Sequence, residues 1–195
     1  MEKLKSNLQN MVLVLVGVAL ICGGLLAYVN KATEPAIAEQ AEKTLSDGIK
    51  VVLATDEVTV KDTKTVTRDV NGKELTFVVY LTDKGVAVQS TDPNGFGGNL
   101  TVLVGFDEKG VIKGYTVLAH AETPGLGAKA GEWFQKGAPG CIVGLNPAEA
   151  NLTVTNDGGD INAITASTIT SRSFLRAVQQ AYVTFKASNT TGAEE

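Results

Sequence analysis

The chain is predicted to be α+β, with a single N-terminal transmembrane helix followed by one domain of antiparallel strands packed with helices. Three observations predict this. Met11 to Val29 (MVLVLVGVALICGGLLAYV) is a charge-free apolar run of about 19 residues, long enough to cross a bilayer core as a helix. Two strand–turn–strand stretches follow, ELTFVVYL-TDKG-VAVQ and LTVLVGF-DEKG-VIKGYTVLA, β-branched and aromatic runs broken by turn residues. A late stretch, FLRAVQQAYVTF, places Phe174, Val178, Ala181 and Phe185 at spacings of four, three and four, which puts them on one helical face. Paired strands with helices before, among and after them make an α+β domain.

The apolar run comes first, and it exceeds the roughly 7–15 residues of a signal-peptide core. Ala36-Ile37-Ala38, the one cleavage-like pattern, stands well beyond it and just after Pro35. Cys22 is preceded by the bulky Ile21, which argues against a lipoprotein site. The run therefore reads as a retained anchor. Lys3 and Lys5 precede it and Lys31 follows it, a thin positive-inside bias that puts the N-terminus in the cytoplasm and the remainder outside. Pro35 to Leu45 (PAIAEQAEKTL) reads as a helical stalk, with Asp47-Gly48 as its stop. EWFQK, between Gly127 and Gly140, suggests one short helix. The expected division is residues 1–30 for a short cytoplasmic tail and the transmembrane anchor, 31–48 for the stalk, 49–187 for the folded domain, and 188–195 for a polar, disordered tail.

Composition excludes several functions. At 195 residues there is room for one domain and an appendage. The net charge of −4, the pI of 5.1 and the absence of any basic cluster argue against a nucleic-acid partner. Two cysteines are too few for a disulfide scaffold. One histidine, His120, leaves little material for a His-rich metal site or a hydrolase triad. Trp133 is expected in the core, and Cys141 is expected to be a buried small hydrophobe.

Two loops stand out. His120 to Gly127 (HAETPGLG) follows an apolar strand, and its glycines let a ligand approach the backbone. It is neither a dinucleotide fingerprint nor a Walker loop, and on spacing alone a plain surface turn explains it better than a ligand site does. Asn162 to Ser171 (NAITASTITS) gathers five hydroxyls within seven positions, directly before the last helix. Capping the orphan N–H groups of that helix requires one or two of them. Binding an anion at the helix N-terminus is the alternative. Position alone leaves both readings open.

The three motifs HAETPGLG, NAITASTITS and Gly95-Phe-Gly-Gly98, with the N-terminal span, resemble the FMN-binding subunit of membrane electron-transport complexes. The similarity is to the G subunit of the Rnf complex, and at shorter range to the C subunit of the sodium-translocating NADH:quinone reductase. It runs from Met11 to about Ala187. The family's loop, H-x-E-T-P-G-L-G, is matched at every fixed position from His120 to Gly127, and its G-[YF]-G-G turn is matched at Gly95 to Gly98. Its attachment motif is S-G-A-T followed by x-[ST]-S. Here Thr165 stands for the Ser, Ala166 for the Gly, Ser167 for the Ala and Thr168 for the modified Thr, with Thr170 and Ser171 in register. Three of those four positions differ, and the Asp usual six residues before the Thr is Asn162, with Asp160 nearby.

The resemblance implies FMN joined to Thr168 by a phosphoester, installed by a flavin transferase that uses FAD and magnesium. It implies a cofactor site built from Thr165, Ala166, Ser167, Ile169, Thr170 and Ser171 around the attachment point. The rest of that site is Glu122, Thr123, Gly125, Leu126 and Gly127 along the flavin ring. Thr170, Ser171 and the first helical turn would donate to the phosphate. Leu126 would give the ring an apolar face, with polar contacts from Glu122 or Thr123, and His120 would support the loop. The chain would carry electrons without catalytic residues of its own, beside other integral membrane and redox subunits. That complex would couple ferredoxin and NAD chemistry to sodium or proton movement, with the FMN domain on the periplasmic side of the inner membrane. The competing expectations are a stand-alone extracytoplasmic flavoprotein serving another reductase, and a flavin-free membrane-tethered sensor or structural module.

Overall fold

The computed structural model describes residues 8–70 and 72–191. The expected N-terminal tail up to residue 7, and residues 192–195 of the expected C-terminal tail, lie outside them. The chain divides into two units, Met1–Lys43 and Thr44–Glu195.

Helix α1 runs over Leu8–Leu53 with Pro35 inside it. Its most apolar 18 residues have a mean hydropathy of 2.7 and no buried share. Among the described residues this is the one helix long and apolar enough to cross a membrane. The expected stop at Asp47-Gly48 is not one, because the helix continues to Leu53. The reason lies in packing. Ile49, Val52 and Leu53 are buried against Tyr80, Ala87 and Leu103 of the sheet. At Gly48 an added Cβ would come 3.2 Å from Thr116 Cγ2 and 3.3 Å from Leu103 Cδ2. The glycine brings the helix close to the sheet instead of ending it. The helix ends at Ala54, whose φ is 52°. There the Thr55 N–H donates to Lys50 O and the Ala54 N–H to Val51 O, a Schellman closure with alanine in the place glycine usually takes.

Five antiparallel strands follow in the order β1-β2-β3-β4-β5: β1 Val60–Val70, β2 Lys73–Thr82, β3 Val86–Asp92, β4 Leu100–Phe106 and β5 Ile112–His120. The two expected hairpins are β2–β3 and β4–β5, and β3 pairs with β4 to merge them into one sheet. Strand β1 gave no sequence signal. VKDTKTVTRDV is polar and almost wholly exposed, an edge strand held by its ladder with β2 and lacking an apolar face. By contrast β4 is buried along nearly its whole length, because both faces of the sheet are covered.

Helix α1 covers one face with residues 49–53. The other face carries α3, Thr168–Thr191. Phe174, Val178 and Ala181 are fully buried there, and Phe185 nearly so, as their spacing requires. Phe174 stacks on Phe134 at 4.3 Å between ring centroids and meets Tyr115 edge-on at 4.8 Å. The expected short helix is α2, Ala130–Trp133, entered through a 3-10 turn at Gly127–Lys129. Tyr115 O–H donates to Ala130 O and accepts from the Phe134 N–H, and burial holds its phenol above the ordinary range. Two side chains are less buried than expected. Trp133 is half-buried against the core because its indole N–H reaches Asn162 O at 2.9 Å. Cys141 is also half-buried, its thiol pointing to Val143 O at 3.6 Å. Residues 188–191, expected in a disordered tail, continue α3.

Candidate functional site

The three motifs meet at the end of the sheet where β3 and β5 finish. Asp92, the last residue of β3, accepts from Ser173 Oγ at 2.8 Å, from Arg176 Nε and Nη2 at 3.0 Å each, and from the Asn94 N–H at 2.9 Å. This joins the start of the Gly95–Gly98 turn to α3. Strand β5 ends at His120, whose Nδ1 accepts from the Glu122 N–H at 3.1 Å. That is the loop support expected of it.

Between them lies a cleft of about 320 Å³, within the usual range for small-molecule sites. Phe96 lines it from the turn, and Glu122, Thr123, Leu126 and Gly127 from the loop. Ala166, Ser167, Thr168 and Ile169 line it from the start of α3. Phe96, Leu126 and Ile169 are 67%, 42% and 48% exposed, apolar surface that nothing among the described residues covers. Phe96 was missed by sequence reasoning, although the aromatic between the glycines of Gly-Phe-Gly-Gly was its signal.

The hydroxyls divide into two groups. Ser167 is the N-cap of α3, because its carbonyl accepts the first helical bond, from the Ser171 N–H. Ser171 Oγ donates to Ser167 O and accepts from the Ile164 N–H. Thr170 Oγ1 donates to Glu122 Oε2 at 2.7 Å and lies 2.9 Å from Ser167 Oγ. Thr170 and Ser171 are fully buried. The expectation that they donate to a phosphate is therefore corrected: their protons are committed to the scaffold, and neither lines the cleft. Thr165 and Gly125 are exposed and do not line it either. Thr168 does line it, half-buried, at the first residue of the helix. Ala166 has a φ of 59°, the left-handed region that glycine occupies most readily. The Asn162 side chain is structural, its Nδ2 donating to Pro139 O at 2.9 Å.

One helical turn beyond Thr168, Arg172 pairs with Asp157 through two bonds of 2.6 and 2.7 Å. The Arg172 bond holds the Asp157 carboxyl below its ordinary range. Among the described residues no three His, Cys, Asp or Glu gather as metal ligands. The donor set fits a group with a flat apolar body and an anionic end. Exposed apolar side chains line the cleft, while the first-turn N–H groups of α3 have no partner within the helix.

Fold and site together define a flavin-binding protein: residues 95–183, which span all three motifs, match the FMN-binding domain family. Residues 1–52 match the RnfG N-terminal region. The chain is 32% identical over 176 residues to the G subunit of the ion-translocating oxidoreductase complex of Shewanella baltica (strain OS223), covering 84% of this chain and 82% of that one. It is 34% identical over 169 residues to the protein of the same name from Escherichia coli (strain K12), covering 81% of each. For the Yersinia pestis protein of that name the figures are 34% over 170 residues, 81% of this chain and 80% of that one. The chain belongs to the family of G subunits of the ion-translocating oxidoreductase complexes.

Proposed function

We propose that this chain is a membrane-anchored electron-transfer subunit of an ion-translocating oxidoreductase complex, with FMN joined to Thr168 by a phosphoester. One observation carries the attachment point. Of the threonines in the hydroxyl stretch, Thr168 alone lines the cleft, and its hydroxyl has no protein partner among the described residues. Thr170 is buried and bonded to Glu122, and Thr165 faces solvent.

The acceptor needs no catalytic neighbour, because a separate flavin transferase performs the attachment from FAD with magnesium. Thr168 Oγ attacks the flavin-side phosphorus of FAD, an O–P bond forms, the pyrophosphate bond breaks, and AMP leaves. The hydroxyl proton passes to a base of the transferase. The first-turn N–H groups of α3 would hold the phosphate oxygens. Phe96, Leu126 and Ile169 would give the ring apolar contacts, and Glu122, Thr123 and Gly127 complete the cleft wall. When bound, the flavin supplies the redox chemistry, and the protein fixes its position and potential. Lys3, Lys5 and Lys31 favour a cytoplasmic N-terminus, a single pass through the inner membrane and a periplasmic domain. The relatives' name supports integral membrane and redox subunits as partners, and the family resemblance supports ferredoxin and NAD as the redox couple.

Peptide mass mapping of the chain co-expressed with the transferase tests this. The expected result is an FMN adduct on Thr168, absent from Thr168→Ala. That variant still folds, because the Thr168 hydroxyl has no protein partner among the described residues and Ser167, the N-cap, is untouched. An adduct on Thr165 or Thr170 would displace the attachment point. No adduct with transferase and FAD supplied would leave a non-covalent site or a flavin-free module. Co-purification of integral membrane subunits separates the complex from a stand-alone flavoprotein.

A further inference from the structure

Glu122 is the point on which the three motifs converge. The residue is only 6% exposed. Its Oε1 accepts from the Gly97 N–H at 3.4 Å and its Oε2 from Thr170 Oγ1 at 2.7 Å. Among the described residues no cation forms an ion pair with it. Both neighbouring loops leave room for it. A Cβ on Gly95 would lie 2.6 Å from Oε1, and one on Gly127 would collide with Oε2 and stand 2.7 Å from Thr170 Oγ1. Stability does not account for such a group. A buried charge without a counter-ion is costly, whereas a neutral glutamine of the same shape could accept from the Gly97 N–H through its oxygen and donate to Thr170 through its amide nitrogen.

The hydrogen-bond direction suggests what the charge does. A hydroxyl has one proton, and Thr170 gives its own to Glu122. In the Ser167–Thr170 contact Ser167 must then be the donor. The Ser167 proton therefore points inward, while Ser171 Oγ holds the Ser167 carbonyl at 3.0 Å. Ser167 is held at both its side chain and its backbone, and Thr168 is the next residue.

We infer that Glu122 is a positioning residue for flavin loading. Acting through Thr170, it holds Ser167 so that the Thr168 hydroxyl is presented in the cleft. The inference rests on Thr168 being the acceptor. A glutamine can donate to Thr170 as well as accept from it, so the direction of the chain is lost while its shape is kept.

The test uses the full chain in detergent with transferase, FAD and magnesium. It follows the fluorescent band on denaturing gels over time, alongside the unfolding temperature of each variant. Glu122→Gln should load at least tenfold more slowly than wild type, with an unfolding temperature equal or higher. Thr170→Val should slow loading comparably, and the double variant no further, because both act through one chain. Thr170→Ser, which keeps the hydroxyl, should load within twofold of wild type. Loading of Glu122→Gln at the wild-type rate overturns the inference and leaves Thr168 as acceptor. Slower loading with a parallel fall in unfolding temperature also overturns it, because the role is then structural. Additive effects in the double variant do the same. A wild type with no adduct on Thr168 overturns the acceptor assignment, and this inference with it.

Discussion

Ala166 and Asp92 show how single residues shape the cleft from outside the hydroxyl network. Ala166 turns the chain into Ser167 with a φ of 59°, a conformation that costs an L-residue about 1–2 kcal/mol. Glycine removes that strain but returns about 0.4–1 kcal/mol of chain entropy to the unfolded state. Ala166→Gly should therefore stabilise the domain by about 0.5–1 kcal/mol, read as a higher midpoint in urea. A lower midpoint would show that the alanine is not strained. Asp92 is buried to 1% exposure. Burial pushes its carboxyl up, but the bonds from Arg176, Ser173 and the Asn94 N–H outweigh it and hold the pKa below the ordinary value. With the folded pKa depressed, the stabilisation is fully present above the unfolded value of about 3.9. It is lost as pH falls through the folded value. Asp92→Asn should cost about 1.5–3 kcal/mol at pH 7, and the gap to wild type should close as pH drops below 4. A gap unchanged down to pH 2 would remove Asp92 from the acid response.

At the scale of elements, the loop from His120 to Gly127 can be separated from the helix it faces. Leu126 is 42% exposed and lines the cleft without being part of the core, so Leu126→Asp should leave the fold unchanged. If the flavin ring lies against it, the new charge should shift the flavin absorbance and midpoint potential while attachment at Thr168 persists. A variant with wild-type absorbance and potential would mean that this loop is only a turn. At the C-terminal end of α1, packing overrides a local signal. Asp-Gly is an ordinary stop, yet Gly48 continues the helix because its missing side chain lets the helix lie close to Leu103 and Thr116. Strand β1 is the converse case: a polar run becomes a strand because β2 offers it a ladder.

For the whole molecule, the charges flanking the apolar run of α1 set which side of the membrane the folded domain is expected to occupy. Helix α1 is apolar enough to span, and only three lysines bias its direction. A reporter fused after Glu195 should be active only on the outer side of the membrane. Cytoplasmic activity would reverse the orientation, and it would place the cleft and the transferase in the other compartment.

The sequence by itself determined the apolar span, the two hairpins, the apolar face of α3 and the motifs that mark a flavin-binding family. All of these are local patterns, written in composition and in periods of two or 3.6 residues. Only the tertiary structure decided where α1 ends, that β1 exists and that Phe96 belongs to the cleft. It also sorted five similar hydroxyls, turning Thr170 and Ser171 into the scaffold and leaving Thr168 in the cleft wall. A hydroxyl looks the same in a sequence whether it faces a cleft or a carboxylate. Its role depends on which partner lies within about 3 Å, and here that partner, Glu122, is 48 residues away along the chain.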